Sequence, residues 1–415
     1  MNSSSVIPVV IDRHAEDAAF LWLLRNAAVH EPHYDLGDLA ELDNRLAAHL
    51  DGLLIAGDYG WEIAKNALGI GEPGEVFVAG WLAAGTLDGK KIDLILEAAK
   101  GSKENYGALV SALAWHPLES IIDLVKSFLN ANDPVYQALG ISACALHRTD
   151  PRASLQKALA HSDEQTVART LRAIGELRRI DLVPAITPFR NSKTESHNFW
   201  ANWSVALMGD RSAVGPLQQH VLNDTNFAIR ALRLIARVMD QKDAQNLFQA
   251  LARDKSTMRL AMMGAGISGD PMWIPGLLKH MENPDIQRVA GEAFSTITGV
   301  DLAYEELNED WPEGLEAGPT EDPADENVAM DEDEDLPWPN RVLLLQWWEE
   351  NKQHFQPGNR YLCGKPISEQ NCINVLHNGF QRQRNAAALE LALLGKPFYE
   401  TRAPGFRQKR QLKVG

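Results

Sequence analysis

GAGISGDPMWIPGLLKHMENPDI, residues 264–286, is the stretch whose reading decides the fold. Small and apolar residues lead up to Asp270, and Pro271 follows directly. A second apolar run, WIPGLLKHM, then ends in the polar break ENPDI. This order reads as helix, turn, helix, break, with Asp270 a candidate N-cap and Pro271 set just inside the second helix. The same order recurs in ACALHRTDP (143–151), IGELRRIDL (174–182), VALMGDR (205–211), RLIARVMD (233–240) and STITGVDL (295–302). Their anchors are Asp150, Asp181, Asp210, Asp240, Asp270 and Asp301, spaced 31, 29, 30, 30 and 31 residues apart. LAAGTLDG places Asp88 two periods before Asp150, with WHPLE (115–119) at the position between. A fixed period of this kind is the mark of a repeat architecture.

Each unit accounts for itself physically. Four residues before the anchors stand Leu146, Leu177, Ala206, Ala236, Gly266 and Ile297; eight before stand Ser142, Ala173, Asn202, Leu232, Met262 and Ala293. A stripe at i, i+4 is one helix face, and small side chains on it let a neighbouring helix approach closely. Two helices in thirty residues cannot bury that face alone, but stacked units can. The sequence therefore predicts an all-α chain built as an α-solenoid of about eight 30-residue helical pairs. The period is shorter than the ~40–47 residues of ordinary HEAT or armadillo repeats, and it resembles the short HEAT-like repeats of the phycobilisome-lyase type.

The ends read differently, and four segments follow. Residues 1–58 form a helical cap, with Asp12 a candidate N-cap for a helix carrying Ala18, Leu21, Trp22 and Leu24, and with Leu36, Leu39, Leu42, Leu46 and Leu50 on the next. Residues 59–303 hold the HEAT-like repeats. Residues 304–339 form an acidic Pro/Gly-rich linker that ends in DEDEDLPWP (331–339), and residues 340–415 a small helical module with a basic tail. Within that module NRVLLLQWWEENKQHF sets Val342, Leu345 and Trp348 on one stripe, and EQNCINVLHNGFQRQRNAAALELALL breaks at Gly379.

Charge is distributed unevenly. The net charge is −16, and residues 305–335 carry fifteen Asp and Glu with no Lys or Arg, so −16 less −15 leaves −1 on the other 384 residues. A near-neutral body lacks the basic stripe that neutralises phosphates, which argues against nucleic acid as a partner. No run of ~18 apolar residues suggests a membrane span. The N-terminus has no basic start, and Pro8 interrupts its apolar run, so no secretory signal is expected and the cytoplasm is the expected compartment. The three cysteines, Cys144, Cys363 and Cys372, form no CxxC pair and are expected as free thiols that fill space. No phosphate loop, nucleophile elbow or zinc-helix motif occurs, so no catalytic residue, metal ligand or cofactor is assigned.

The candidate binding residues are of two kinds. DEDEDLPWP joins five carboxylates to a tryptophan held between prolines. It is expected to dock: Trp338 enters an apolar notch while Asp331, Glu332, Asp333, Glu334 and Asp335 face Arg382, Arg384 and the basic tail, or a basic patch on a partner. Exposed ion pairs contribute at most ~1 kcal/mol each, so tryptophan burial must supply most of the energy. Trp200 and Trp203, three apart in HNFWANWSVAL, are candidates for a groove that grips a partner, weighed against ordinary core packing.

The stretches DRHAEDAAFLWLLRNAAV, LDNRLAAHLDGLLIAGDYGWE, AGEAFSTITGVDLAYEEL, DEDEDLPWP and NGFQRQRNAAALELAL resemble an uncharacterised family of bacterial HEAT-like repeat proteins, over nearly the whole chain. Members of that family are often encoded beside type VI secretion clusters. The resemblance implies a cytosolic adaptor or co-chaperone that binds an effector, an effector chaperone or a spike component, and it implies no catalytic residues. The expected function is a protein-binding scaffold. The alternative is a phycobilisome-lyase-like enzyme acting on a protein-bound chromophore, for which the short repeats are the only support.

Overall fold

The structure is a computed structural model that describes residues 7–315, 318 and 331–408. Part of the acidic linker and the end of the basic tail, residues 409–415, lie outside the described residues. The described chain is predominantly helical; its four strands are two residues long each. It divides into two compact units, formed by the described residues of Met1–His30, Tyr34–Ser204 and Pro397–Gly415, and of Glu31–His33 and Val205–Lys396. The four segments read from the sequence therefore do not coincide with the units: the last of them contributes to both.

The first unit begins with the helix Pro8–Ala28. Its N-terminus falls at Pro8 and not at Asp12, because proline at the first helical position has no amide to satisfy and already holds a helical φ. Ala18, Leu21 and Trp22 are buried on it, and Leu36, Leu39, Leu42, Leu46 and Leu50 are buried on the helix Leu36–Ile55 that packs against it. Beyond these, every second helix packs on the next of its kind: Pro73–Thr86 on Lys103–Trp115, that helix on Pro134–Leu146, and that one on Glu164–Glu176. Small residues set the spacing. A Cβ on Gly80 would stand 3.1 Å from the Ala112 methyl, and one on Gly175 would stand 2.8 Å from the Ser204 Cα.

The second unit repeats this pattern. Ala228–Val238 packs on Met258–Ser268, which packs on Pro284–Thr298. A Cβ on Gly266 would meet the Ala293 Cβ at 2.7 Å. All six residues placed eight positions before the anchors, from Ser142 to Ala293, are buried. The anchors act largely as the sequence suggests. Asp88, Asp150, Asp210, Asp240, Asp270 and Asp301 each accept a backbone N–H two or three residues on, from Lys90, Arg152, Ser212, Asp243, Met272 and Tyr304. Asp181 differs: its carboxylate is held in a fork by Arg179 at 2.7 and 2.8 Å. Several of the preceding helices end on a left-handed residue, glycine at Gly209, Gly269 and Gly299 but arginine at Arg148 and Arg178.

Two short hairpins complete the second unit. Asn308–Glu309 pairs antiparallel with Trp338–Pro339, and Tyr361–Leu362 with Lys365–Pro366. The second hairpin binds the C-terminal ends of two repeat helices, through Tyr361 N–H to Gly269 O at 2.8 Å and Cys363 N–H to Thr296 O at 2.8 Å. The helix Arg341–Asn351 buries Leu344 and Trp348, whereas Val342 and Leu345 are exposed, so the expected stripe is shifted. VLLLQWW is apolar almost all round, and the i, i+4 pair makes the contact. Helices Glu369–Asn378 and Gln381–Leu393 meet at Gly379, as the sequence indicates. Burial raises the Cys144 and Cys372 thiols to about 11 and that of Cys363 to about 12, which makes them poor nucleophiles at neutral pH.

The described end of the basic tail is not a solvated tail. Glu400, Thr401, Ala403 and Gln408 are buried within the first unit. Arg148 donates to Phe398 O at 2.6 Å and to Glu400 at 3.2 Å, and Arg402 to Glu400 at 3.0 Å. Arg25 pairs with Asp43 at 2.9 Å and reaches Arg402 O and Ala403 O. Arg407 donates to His147 Nδ1 at 3.0 Å and to Leu146 O at 3.3 Å. Burial acts first to raise the carboxyl pKa of Glu400, but Arg402 and Arg148 outweigh it and hold the group ionised well below the usual carboxylate range. Removing one partner of such a buried network leaves uncompensated charge. Glu400→Gln is expected to cost about 3–5 kcal/mol at pH 7. Because the folded pKa is depressed, that contribution is full above about pH 4.5 and is lost as the pH falls further. Urea unfolding of both proteins at pH 7 and pH 3 checks this: the gap narrows in acid, and an equal gap at both pH values contradicts it.

Candidate functional site

The acidic tryptophan segment is seated on the second unit, and the seat is built from repeat helices. Arg259 lies in the first turn of Met258–Ser268, and Arg288 in the second turn of Pro284–Thr298. Arg259 holds Asp333 through two parallel bonds of 2.6 Å and meets Glu332 at 3.2 Å. Paired N–H···O bonds from a planar guanidinium are among the stronger polar contacts available to a protein. Arg288 pairs with Asp331 at 2.7 Å and donates to the Asp333 carbonyl at 2.7 Å. Asp333 also accepts no less from its own segment's geometry: Leu336 N–H bonds to its carbonyl, which curls residues 331–336 over the arginines.

The apolar half of the segment closes the other side. Trp338 is 4% exposed and Leu336 5%. The Arg288 guanidinium stands 4.6 Å from the Trp338 ring centroid and 5.2 Å from that of Trp311, and the two indoles meet edge to face at 5.3 Å. A desolvated arginine over an indole is worth about 2 kcal/mol. Pro339 packs on Gly291, where a Cβ would stand 3.0 Å from its Cγ, and the Pro339 carbonyl accepts from Gln287 at 3.1 Å. Gly291 thus lets the segment approach closely. Asp335 marks the end of the contact, facing His33 at 3.8 Å. Burial and then the neighbouring Asp335 raise the pKa of Glu31. Glu334 is exposed.

The expected partners are corrected accordingly. The strap, residues 331–339, pairs with Arg259 and Arg288, not with Arg382 and Arg384 as the sequence suggested. Arg382 pairs with Glu292 at 3.0 Å and with Glu31 at 3.8 Å. Arg384 is 1% exposed and donates to Leu376 O and Gln381, so it ties two helices together and presents nothing to a partner. Trp338 is likewise covered by its own chain. Trp200 and Trp203 are 8% and 7% exposed, which corrects the open-groove reading: Arg172 lies 4.9 Å over Trp200, and Trp203 faces Phe398 with centroids 6.3 Å apart. A signal for the true seat was present in the sequence. Arg230, Arg259 and Arg288 stand 29 residues apart, one on each of three successive helices of the small-residue type.

The electrostatics favour a latch over a reaction centre. Asp331 is pushed up by burial, but its bond to Arg288 and nearby positive charge outweigh this and lower its pKa. Arg259 is raised by its bond to Asp333. Both are held in their charged forms, as ion-pair partners are, and neither is poised near neutrality for proton transfer. No helix of the described residues is long and apolar enough to cross a membrane. No family model matches the sequence, and no curated protein matches it.

Two outcomes follow for the strap. Trp338→Ala removes a buried indole and costs about 3–5 kcal/mol of local stability. Cleavage within residues 331–339 by a Glu-specific protease is expected to accelerate, and an unchanged rate contradicts the docking. Asp331→Asn loses a charge-assisted bond worth about 1.5–3 kcal/mol. The folded pKa of Asp331 lies below its ordinary 3.8, so this contribution is full above that pH and disappears as the pH drops through the lower folded value. Urea unfolding at pH 6 and at pH 2.5 to 3 (about one unit below 3.8) measures it; a wild-type advantage that persists in acid contradicts the assignment.

Proposed function

We propose that this protein is a binding scaffold for other proteins, built as an α-solenoid of short HEAT-like helical pairs. The observation that carries the reading is the seat itself. Two arginines from successive repeat helices hold an acidic peptide segment by its side chains, its backbone and its tryptophan. That is how a repeat protein recognises an extended chain: rigid helices present in-register side chains to it. Supporting it further, the thiols are poor nucleophiles, and the charged clusters at Glu400 and Arg288 are ion pairs. The resemblance to the family encoded beside type VI secretion clusters suggests the specific form, a cytoplasmic adaptor or co-chaperone that holds an effector or spike component before export.

Purification of the tagged full chain from its own cells, followed by mass spectrometry and an absorption spectrum, tests this. The scaffold reading predicts one stoichiometric protein partner and no visible absorbance. A coloured, chromophore-bearing species without such a partner contradicts it and favours the phycobilisome-lyase-like alternative.

A further inference from the structure

We propose that the arginine-lined face of the second unit is a docking site for an acidic, tryptophan-bearing segment of a partner protein, and that residues 331–339 are its intramolecular competitor. The inference rests on the scaffold reading and names the chemistry of the partner's contact.

Charge complementarity identifies the occupant. Arg259 and Arg288 take a carboxylate, a backbone carbonyl and an indole from one short segment. An acidic segment that also carries an indole matches this seat in both charge and shape.

The strap is an imperfect occupant. Trp338 Nε1 and Arg288 Nε are buried with no hydrogen-bond partner among the described residues. A buried donor left without an acceptor weakens the complex that contains it. A partner segment that supplies an acceptor at that point binds the same seat better. Removal of the strap also breaks no helix. The strap's own backbone pairing is the two-residue ladder of Trp338–Pro339 with Asn308–Glu309, and every strap contact to Arg259 and Arg288 is made by side chains or by its own carbonyl. The tether keeps the strap at a high effective concentration, so it suppresses weak or non-specific ligands and yields to a better one.

The test uses a fluorescent peptide with the sequence DEDEDLPWPN, titrated by anisotropy into the full chain. Binding to Asp331→Asn/Asp333→Asn is expected to be about tenfold tighter or more than to the wild type, because the competitor is weakened. Adding Arg259→Gln to that variant is expected to abolish the gain. If the double variant does not fold by circular dichroism, Asp333→Asn alone supplies the comparison. Equal binding to wild type and strap variant, binding that survives Arg259→Gln, or equal binding of a scrambled peptide of the same composition would each overturn the proposal. Self-association of the wild type that Arg259→Gln abolishes would make a second copy the occupant and overturn the assignment to a different protein. If the peptide fails while purification yields a stoichiometric partner, the scaffold reading stands and only this seat is lost; if both fail, the scaffold reading falls with it.

Discussion

Close approach of helix backbones at small residues is the constraint on which the rest depends. Gly175 lies against Ser204 and Gly266 against Ala293 with no room for a Cβ, and Gly80 lies tightly against Ala112. This spacing places successive helices side by side with a fixed register. Once register is fixed, a residue type repeated at the period becomes a row in space. Arg259 and Arg288 stand on two helices packed against each other, and the strap reads them as a pair because those helices are held that close.

Both units use charge in the same way, to bind a stretch of non-helical chain. In the second, the guanidiniums of Arg259 and Arg288 fix residues 331–339. In the first, Arg148 and Arg25 hold the segment 398–408 by its carbonyls, and Arg407 within it donates outward to Leu146 O. Arginine suits the task because its fork serves several acceptors at once and keeps its charge when partly buried. Buried ion pairs contribute little net stability compared with apolar packing, so their value here lies in selecting which segment sits where. Tryptophan burial supplies the energy that the charges do not: Trp338 is almost fully enclosed.

The helical period was legible because it rests on local chemistry. Aspartates that cap, glycines that end helices and small residues on one face all act within a few positions of themselves. The exceptions are physical. Asp181 is taken by Arg179, and Arg148 and Arg178 occupy left-handed positions where glycine is the usual residue. What failed was pairing across long separations. Arg382 and Arg384 belong to the basic C-terminal module that the sequence set against the strap, but Arg384 is spent on Leu376 O inside a helical hairpin. Arg259 and Arg288 read individually as solvated helix positions; only their common 29-residue spacing with Arg230 marks them. The helix at 341–351 misled for another reason: with apolar residues on several sides, Val342–Leu345–Trp348 and Leu344–Trp348 fit equally well, and only tertiary contact chooses between them.

The central claim is that residues 331–339 are held by Arg259 and Arg288. Amide hydrogen exchange over residues 331–340, compared between the wild type and Arg259→Gln/Arg288→Gln, addresses it most directly. Glu334, Leu336 and Asn340 each donate a backbone hydrogen bond in the docked segment. The account predicts that these amides are protected in the wild type and exchange at the rate of free peptide in the variant, while the helix Ala228–Val238 keeps its protection. Equal protection of residues 331–340 in both proteins would contradict it.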